Sequence, residues 1–236
     1  MILSGYNLIE LDSIDSTQKE LHRLIINKKA CHGDVITAKH QYDAIGRHNR
    51  KWISCTGNLS LSIAINIEPS TNISDLSFVT AIAAGNAILS LTPDIPLKYK
   101  WVNDIMVKEE KLGGILCQYY EPYMIIGLGI NISSSPTIPE KKTTFLKKHA
   151  PYISDSLILH AFLDQFISEY NHWHANGIYN TLQTWKKRSH IIGENISIKV
   201  GDIVYNGSYK DITEDGSIIL EETFGKTRII NCGEII

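Results

Sequence analysis

Residues 97–118 read LKYKWVNDIMVKEEKLGGILCQ, and the fold turns on how this stretch is parsed. Leu97, Tyr99 and Trp101 alternate with Lys98 and Lys100, the period-two signature of a half-buried strand. Val102-Asn103-Asp104 interrupts the alternation with two short polar groups. Ile105-Met106-Val107 is apolar again, Lys108-Glu109-Glu110 is a polar turn, and residues 111–117 return as a strand carrying Gly113-Gly114. The pattern predicts a hairpin, two strands around a short charged connection. It brings Asn103, Asp104 and a lysine to one sheet surface, and the two glycines let a ligand approach the backbone. An acid, cations and bare main chain together suit a magnesium-bound nucleotide. The same residues also make an ordinary hairpin with a solvated turn.

The chain has 236 residues and is 43% hydrophobic, enough for one large domain, or a medium and a small one, around a proper core. A formal net charge of -2 argues against a nonspecific nucleic-acid binder, which needs a strongly basic surface. The four cysteines, Cys31, Cys55, Cys117 and Cys232, form no CxxC pair and suggest neither a disulfide framework nor a zinc cluster; scattered thiols fit a reducing cytoplasm. Met1-Ile2-Leu3 is followed by polar residues, so no signal peptide is expected, and no apolar run approaches membrane-spanning length.

Working outward, residues 6–11 read as a short strand. Ser16 and Thr17 then open a helix with an apolar stripe at Leu21, Leu24 and Ile25, and Thr17 with Glu20 matches a capping box. Hydroxyls and free N–H groups at a helix start either cap it or grip a polar ligand. Residues 33–40 read as a strand. Residues 41–52 concentrate Arg47, Arg50 and Lys51 before Trp52, which suits a solvated loop or one that folds over an anion and offers its indole to a base. Residues 59–67 form a strand with Leu59, Leu61, Ile63, Ile65 and Ile67 on one face and Ser60, Ser62, Ala64 and Asn66 on the other. A buried helix over 75–91, a strand over 123–133 and a lysine-rich loop over 134–151 follow. Residues 156–190 are helical, divided at Asn176-Gly177. His172 and His174 fall on different helix faces, so they share no metal. From Ile191 short strands punctuated by Gly201-Asp202, Asp215-Gly216 and Gly225 read as a small all-β domain.

The run from Lys100 to Leu116, KWVNDIMVKEEKLGGIL, resembles the KWPNDhhhxxxKhxGIL segment (h apolar, x any residue) of biotin protein ligases. The resemblance extends to Asp15-Ser16-Thr17, to the loop over 41–52, which resembles GRGRxGRxW, and to Gly127-Leu128-Gly129-Ile130-Asn131, similar to GxGIN. In the loop, Gly46, Arg47, Arg50 and Trp52 match. Ala44 and Asn49 stand where the pattern has glycine and Ile45 where it has arginine, so a cation and two flexible positions are missing.

The resemblance implies an α+β fold: a mixed, largely antiparallel sheet with helices on one side over residues 1–190, and a small C-terminal SH3-like β-barrel over residues 191–236. It implies activation of biotin by ATP as biotinyl-5′-AMP, then transfer to a lysine of a biotin carboxyl carrier protein of acetyl-CoA carboxylase or a related carboxylase. Ser16, Thr17, Gln18, Gln41, Ile45, Gly46, Arg47, Lys111, Gly113 and Gly114 are expected at biotin. Arg50, Trp52, Lys100, Asn103, Asp104 and Asn131 are expected at ATP, with Asp104 on its Mg2+. Arg47, Lys111 and Asp104 are the expected catalytic groups. No room for a helix-turn-helix module precedes Tyr6, so neither a repressor function nor DNA binding is expected; with no membrane-spanning apolar run, no membrane partner is expected either. An exposed sheet edge admits pairing with the carrier or with a second copy, a homodimer. The rival readings are a lipoate- or octanoate-transferring enzyme of the same fold, for which no Arg-Arg-x-x-Gly-Gly-Gly-type segment is present, a non-catalytic vitamin-binding or regulatory protein, and an interaction module using the C-terminal domain.

Overall fold

The computed structural model describes residues 5–68, 71–139 and 141–236. Met1-Ile2-Leu3, Pro69-Ser70 of the loop before the buried helix, and Glu140 of the lysine-rich loop lie outside them. In chain order the first part comprises β1 (Asn7–Ile14), α1 (Thr17–Ile26), β2 (Asp34–Gln41), β3 (Leu59–Asn66), α2 (Ile73–Leu91), β4 (Leu97–Lys100), β5 (Asp104–Val107), β6 (Glu110–Tyr120), β7 (Tyr123–Ile130), α3 (Asp155–Asn176) and α4 (Tyr179–Lys186). Their seven strands form one sheet in the order β1-β2-β3-β7-β6-β5-β4, with β1 and β2 parallel and the other pairs antiparallel. The second part holds β8 (Asn195–Val200), β9 (Ile203–Ile212), β10 (Ile218–Glu221), β11 (Thr227–Ile230) and β12 (Glu234–Ile235) in a separate sheet, order β11-β10-β9-β8-β12.

The stretch that opened the reading is a three-stranded meander, not the expected hairpin. The chain reverses at Trp101–Asn103 as well as at Lys108-Glu109, so β4 pairs antiparallel with β5 and β5 with β6. Asn103 holds the extra reversal: its Nδ2 donates to the Ile115 carbonyl at 2.7 Å and its carbonyl accepts from the Ile115 N–H at 2.9 Å. That bond lies across the sheet and leaves no local turn signature.

Alternation decides which face each helix covers. Leu59, Leu61, Ile63 and Ile65 of β3 join Ile126 and Leu128 of β7 against α2 and α3, within a core that also takes in Trp185 of α4. Three helices therefore share one face, as expected. The fourth, α1, lies on the other, packing Leu21 on Ile36, Ala64 and Ile125. Helix α2 is buried from Asp75 through Ile88 except Asn86, because the sheet covers one side and α3 the other. Its 19 residues are long and apolar enough to cross a membrane, contrary to the expectation from composition, but 72% of the apolar window is buried inside the protein.

The second sheet does not carry a separate core. Ile198, Tyr209, Ile212, Ile218, Leu220 and Ile235 belong to the cluster that fills the first part. The indole Nε1 of Trp101 donates to the Gly216 carbonyl at 2.9 Å. Gly216 sits at φ +80°, and a Cβ there would come within 2.4 Å of Phe78, so only glycine permits this close approach.

Candidate active site

The sheet face away from α2, α3 and α4 carries the cavity. Pairing aligns Ser60, Gly129, Gly114, Asp104 and Lys100 in one row across β3, β7, β6, β5 and β4. The next row holds Ser62, Gly127 and Leu116. Where a usual strand would raise side chains, the glycines leave a floor low enough for groups from other elements to lie on it. A Cβ on Gly127 would lie 2.7 Å from Gln18 Oε1, and one on Gly129 would lie 2.6 Å from Trp52 Cζ2. The resulting cavity encloses about 600 Å³.

At one end the groups are neutral and buried. The helix α1 starts at the cavity wall, and Ser16, Thr17 and Gln18 are each under 5% exposed. The Thr17 N–H donates to Gln41 Oε1 at 2.8 Å, and Thr17 Oγ1 lies 2.9 Å from Ser62 Oγ. Ser62 Oγ donates to Gln18 Oε1 at 2.9 Å, while Gln18 Nε2 donates to the Ile125 carbonyl at 3.1 Å. The expected capping box does not form. Ser16 occupies the N-cap without a side-chain cap bond, Gln41 takes the Thr17 N–H, and Glu20 pairs with Arg23.

At the other end the groups are charged. One extra residue on β6, Leu112, shifts the β5–β6 register, so that Lys111 pairs with Met106 and its side chain turns to the face of Asp104. Lys111 Nζ donates to Asp104 Oδ1 at 2.5 Å and lies 5.8 Å from the Trp52 ring centroid. The basic loop closes on itself: Gly46 N–H donates to the Arg50 carbonyl at 2.7 Å and Trp52 N–H to the Ala44 carbonyl at 2.9 Å. Asn49, in the place of a motif glycine, takes φ 57°, as does its neighbour His48 at 55°. Asn tolerates this left-handed region better than most residues, so the turn survives the substitution. Arg47 Nη1 donates to Asn103 Oδ1 at 3.1 Å, and Nη2 to the Gly233 carbonyl at 3.1 Å. Burial lowers its pKa from the usual guanidinium value, and Asp104 and Glu234 partly offset this; the group remains a cation.

Every expected site residue except Gly113 lines the cavity. Gly113 lies on the opposite sheet face, where a Cβ would meet the Gly129 carbonyl at 2.6 Å. Asn131 lines the cavity but spends its amide on the fold, donating to the Thr144 carbonyl at 3.1 Å. Sequence reading assigned no site role to Ser60, Ser62, Lys141 and Glu234, nor to Gly127 and Gly129 of the GxGIN match, all of which also line it. The polar alternation of 59–67 was the one available signal for the two serines. Among the described residues no three His, Cys, Asp or Glu side chains converge as a metal cage.

A profile of the biotin/lipoate A/B protein ligase family matches residues 10–131, slightly more than half of the chain, and the chain belongs to that family. It is 25% identical over 213 residues to the biotin–[acetyl-CoA-carboxylase] ligase of Mycobacterium tuberculosis, spanning 86% of this chain and 79% of that protein. It is 27% identical over 238 residues to the bifunctional ligase/repressor BirA of Bacillus subtilis, spanning 95% of this chain and 72% of that protein. The biotin protein ligase of Aquifex aeolicus, solved in complex with biotin and ATP, superposes with a TM-score of 0.86 at 25% identity, covering 98% of this chain and 97% of that one.

Proposed function

We infer that the chain is an ATP-dependent biotin ligase, which activates biotin as biotinyl-5′-AMP and transfers it to a lysine of a carboxyl carrier protein. The observation that carries this reading is one continuous cavity whose floor passes, in adjacent rows, from a neutral hydrogen-bonding end to a cationic end. That order fits a molecule with an uncharged polar head and an acid tail brought against a nucleotide. The relatives named for biotin support it, since their likeness spans both ends of the cavity.

The chemistry follows from the groups present. Thr17, Gln18, Gln41 and Ser62 offer donors and acceptors for a ureido ring. The acid tail then reaches Lys111 and Arg47, whose charges reduce repulsion between a carboxylate and the α-phosphate. The carboxylate oxygen attacks the α-phosphorus and pyrophosphate leaves. Trp52, lying over Gly129, covers the acyl adenylate and limits its hydrolysis. A carrier lysine, as the neutral amine, then attacks the acyl carbon, AMP leaves with the bonding electrons, and the amine proton passes to solvent. Asp104 would be the protein carboxylate that holds a nucleotide-bound magnesium ion, which would neutralise phosphate charge. The name of the Mycobacterium tuberculosis relative supports the carrier of acetyl-CoA carboxylase as the acceptor, and four free cysteines support a cytoplasmic setting.

Mass spectrometry of a biotin carboxyl carrier domain incubated with this protein, magnesium, ATP and biotin tests the reading. One biotinyl group on a single carrier lysine, dependent on ATP, is the expected product. An unmodified carrier, or equal labelling with lipoate, would remove the assignment.

A further inference from the structure

The last turn of the described chain reaches back to the basic loop. The strand β12 is two residues long and pairs with β8, Glu234 opposite Lys199 and Ile235 opposite Ile198. Ile235 enters the core at 4% exposed, so Glu234 must face the other way, toward the cavity mouth. There its carboxylate lies between two cations from different segments. Arg50 Nη1 of the basic loop donates to Oε2 at 2.5 Å, and Lys141 Nζ of the segment after β7 donates to Oε1 at 3.1 Å. Burial would raise the Glu234 pKa, but the hydrogen bonds from Arg50 and Lys141 outweigh it and hold the group down to about 2. The preceding Gly233 takes φ +138°, where a Cβ would lie 2.7 Å from the Lys199 carbonyl, and its own carbonyl receives Arg47. One dipeptide thus holds both arginines of the loop.

The geometry points to Glu234 as an internal counter-anion, seated on Arg50 and Lys141 where a polyphosphate binds, so that these two cations form a subsite for the outer phosphates of the nucleotide and for pyrophosphate. Two cations brought together at a cavity mouth repel one another, and a carboxylate bridging them keeps the mouth assembled before substrate arrives. A polyphosphate carries more charge and more acceptor oxygens than one carboxylate, so it takes both cations and frees Glu234. On the return path the carboxylate competes for the same cations and favours pyrophosphate release. Lys141, which the resemblance does not assign, becomes a phosphate-binding residue. The inference rests on reading the cationic end as the nucleotide end.

Titration of the full-length protein with sodium pyrophosphate by calorimetry, without biotin or carrier, tests it. Glu234→Gln removes the competitor, and affinity should rise about three- to ten-fold, the scale of two half-exposed ion pairs. Adding Lys141→Met should return affinity to the wild-type level or below. Unchanged or weaker binding by Glu234→Gln, with thermal unfolding confirming a folded protein, would overturn the proposal. If that variant does not fold, Lys141→Met alone decides: weaker pyrophosphate binding supports the subsite and undiminished binding removes it. A wild type that labels no carrier, but whose Glu234→Gln variant gains pyrophosphate affinity, would sink the biotin reading and leave this one standing.

Discussion

At the neutral end of the cavity, Thr17, Gln18, Gln41 and Ser62 bond mainly to one another, and all four are buried. At the cationic end, Arg50 and Lys141 bond to Glu234 with more than half of each side chain exposed, and Lys111 bonds to Asp104. The neutral bonds join elements of the core and lie ready in the folded state. The ionic bonds occupy groups that a charged substrate also needs, so that end works by exchange of partners. Neutral recognition can be built in advance at little cost because a satisfied buried hydrogen bond is stable. Converging cations need an anion at all times.

Three substitutions break or sharpen this contrast. The largest effect is expected from Lys111→Ala, which removes a cation from the junction of the two ends. Adenylate formation, followed as pyrophosphate release, should fall by about 10²–10³-fold, the scale for deleting one preorganised charge-stabilising donor. Near-normal release would mean that the charged end does not act on the reacting groups. Next, Gly129→Val places a side chain in the seat of the Trp52 indole. Displacing that cover should speed loss of bound adenylate about ten-fold, a cost of roughly 1.4 kcal/mol, visible as a change in tryptophan emission and as free biotinyl-adenylate trapped by hydroxylamine. An unaltered retention time would show that Trp52 does not close the site. The smallest effect is expected from Ser62→Ala, which removes the hydroxyl that bridges Thr17 Oγ1 and Gln18 Oε1. Loss of a neutral bond costs about 1 kcal/mol, so biotin affinity by calorimetry should drop about five-fold while the KM for ATP stays constant. Equal effects on both substrates would erase the distinction between the ends.

The sequence made the strands and the long helices readable because their periodicity is local. Alternation over 97–101 marked β4, and the apolar run around Gly113-Gly114 marked β6. It missed the reversal between β4 and β5 because that turn carries neither glycine nor proline and is held by Asn103 bonding to Ile115 on another strand. Thr17 and Glu20 looked like a capping box, but Gln41 on β2 competes successfully for the Thr17 N–H. The residues that the motifs singled out, Gly113 excepted, do converge on the cavity. The seats for Gln18 and Trp52 were not, because a glycine's role there appears only when side chains from residues 18 and 52 lie across residues 127 and 129. Glu234 was invisible for the same reason: nothing near it in the chain announces that Arg50 and Lys141 will be its neighbours.

The carboxy-terminal sheet shares its apolar interior with the larger sheet and is pinned to it through Gly216 and Trp101. Heat should therefore melt the whole chain in a single cooperative step. Any compound seated against residues 233–236 will register as a higher melting temperature for the entire protein, so thermal-shift screening reports on that rim without a catalytic assay.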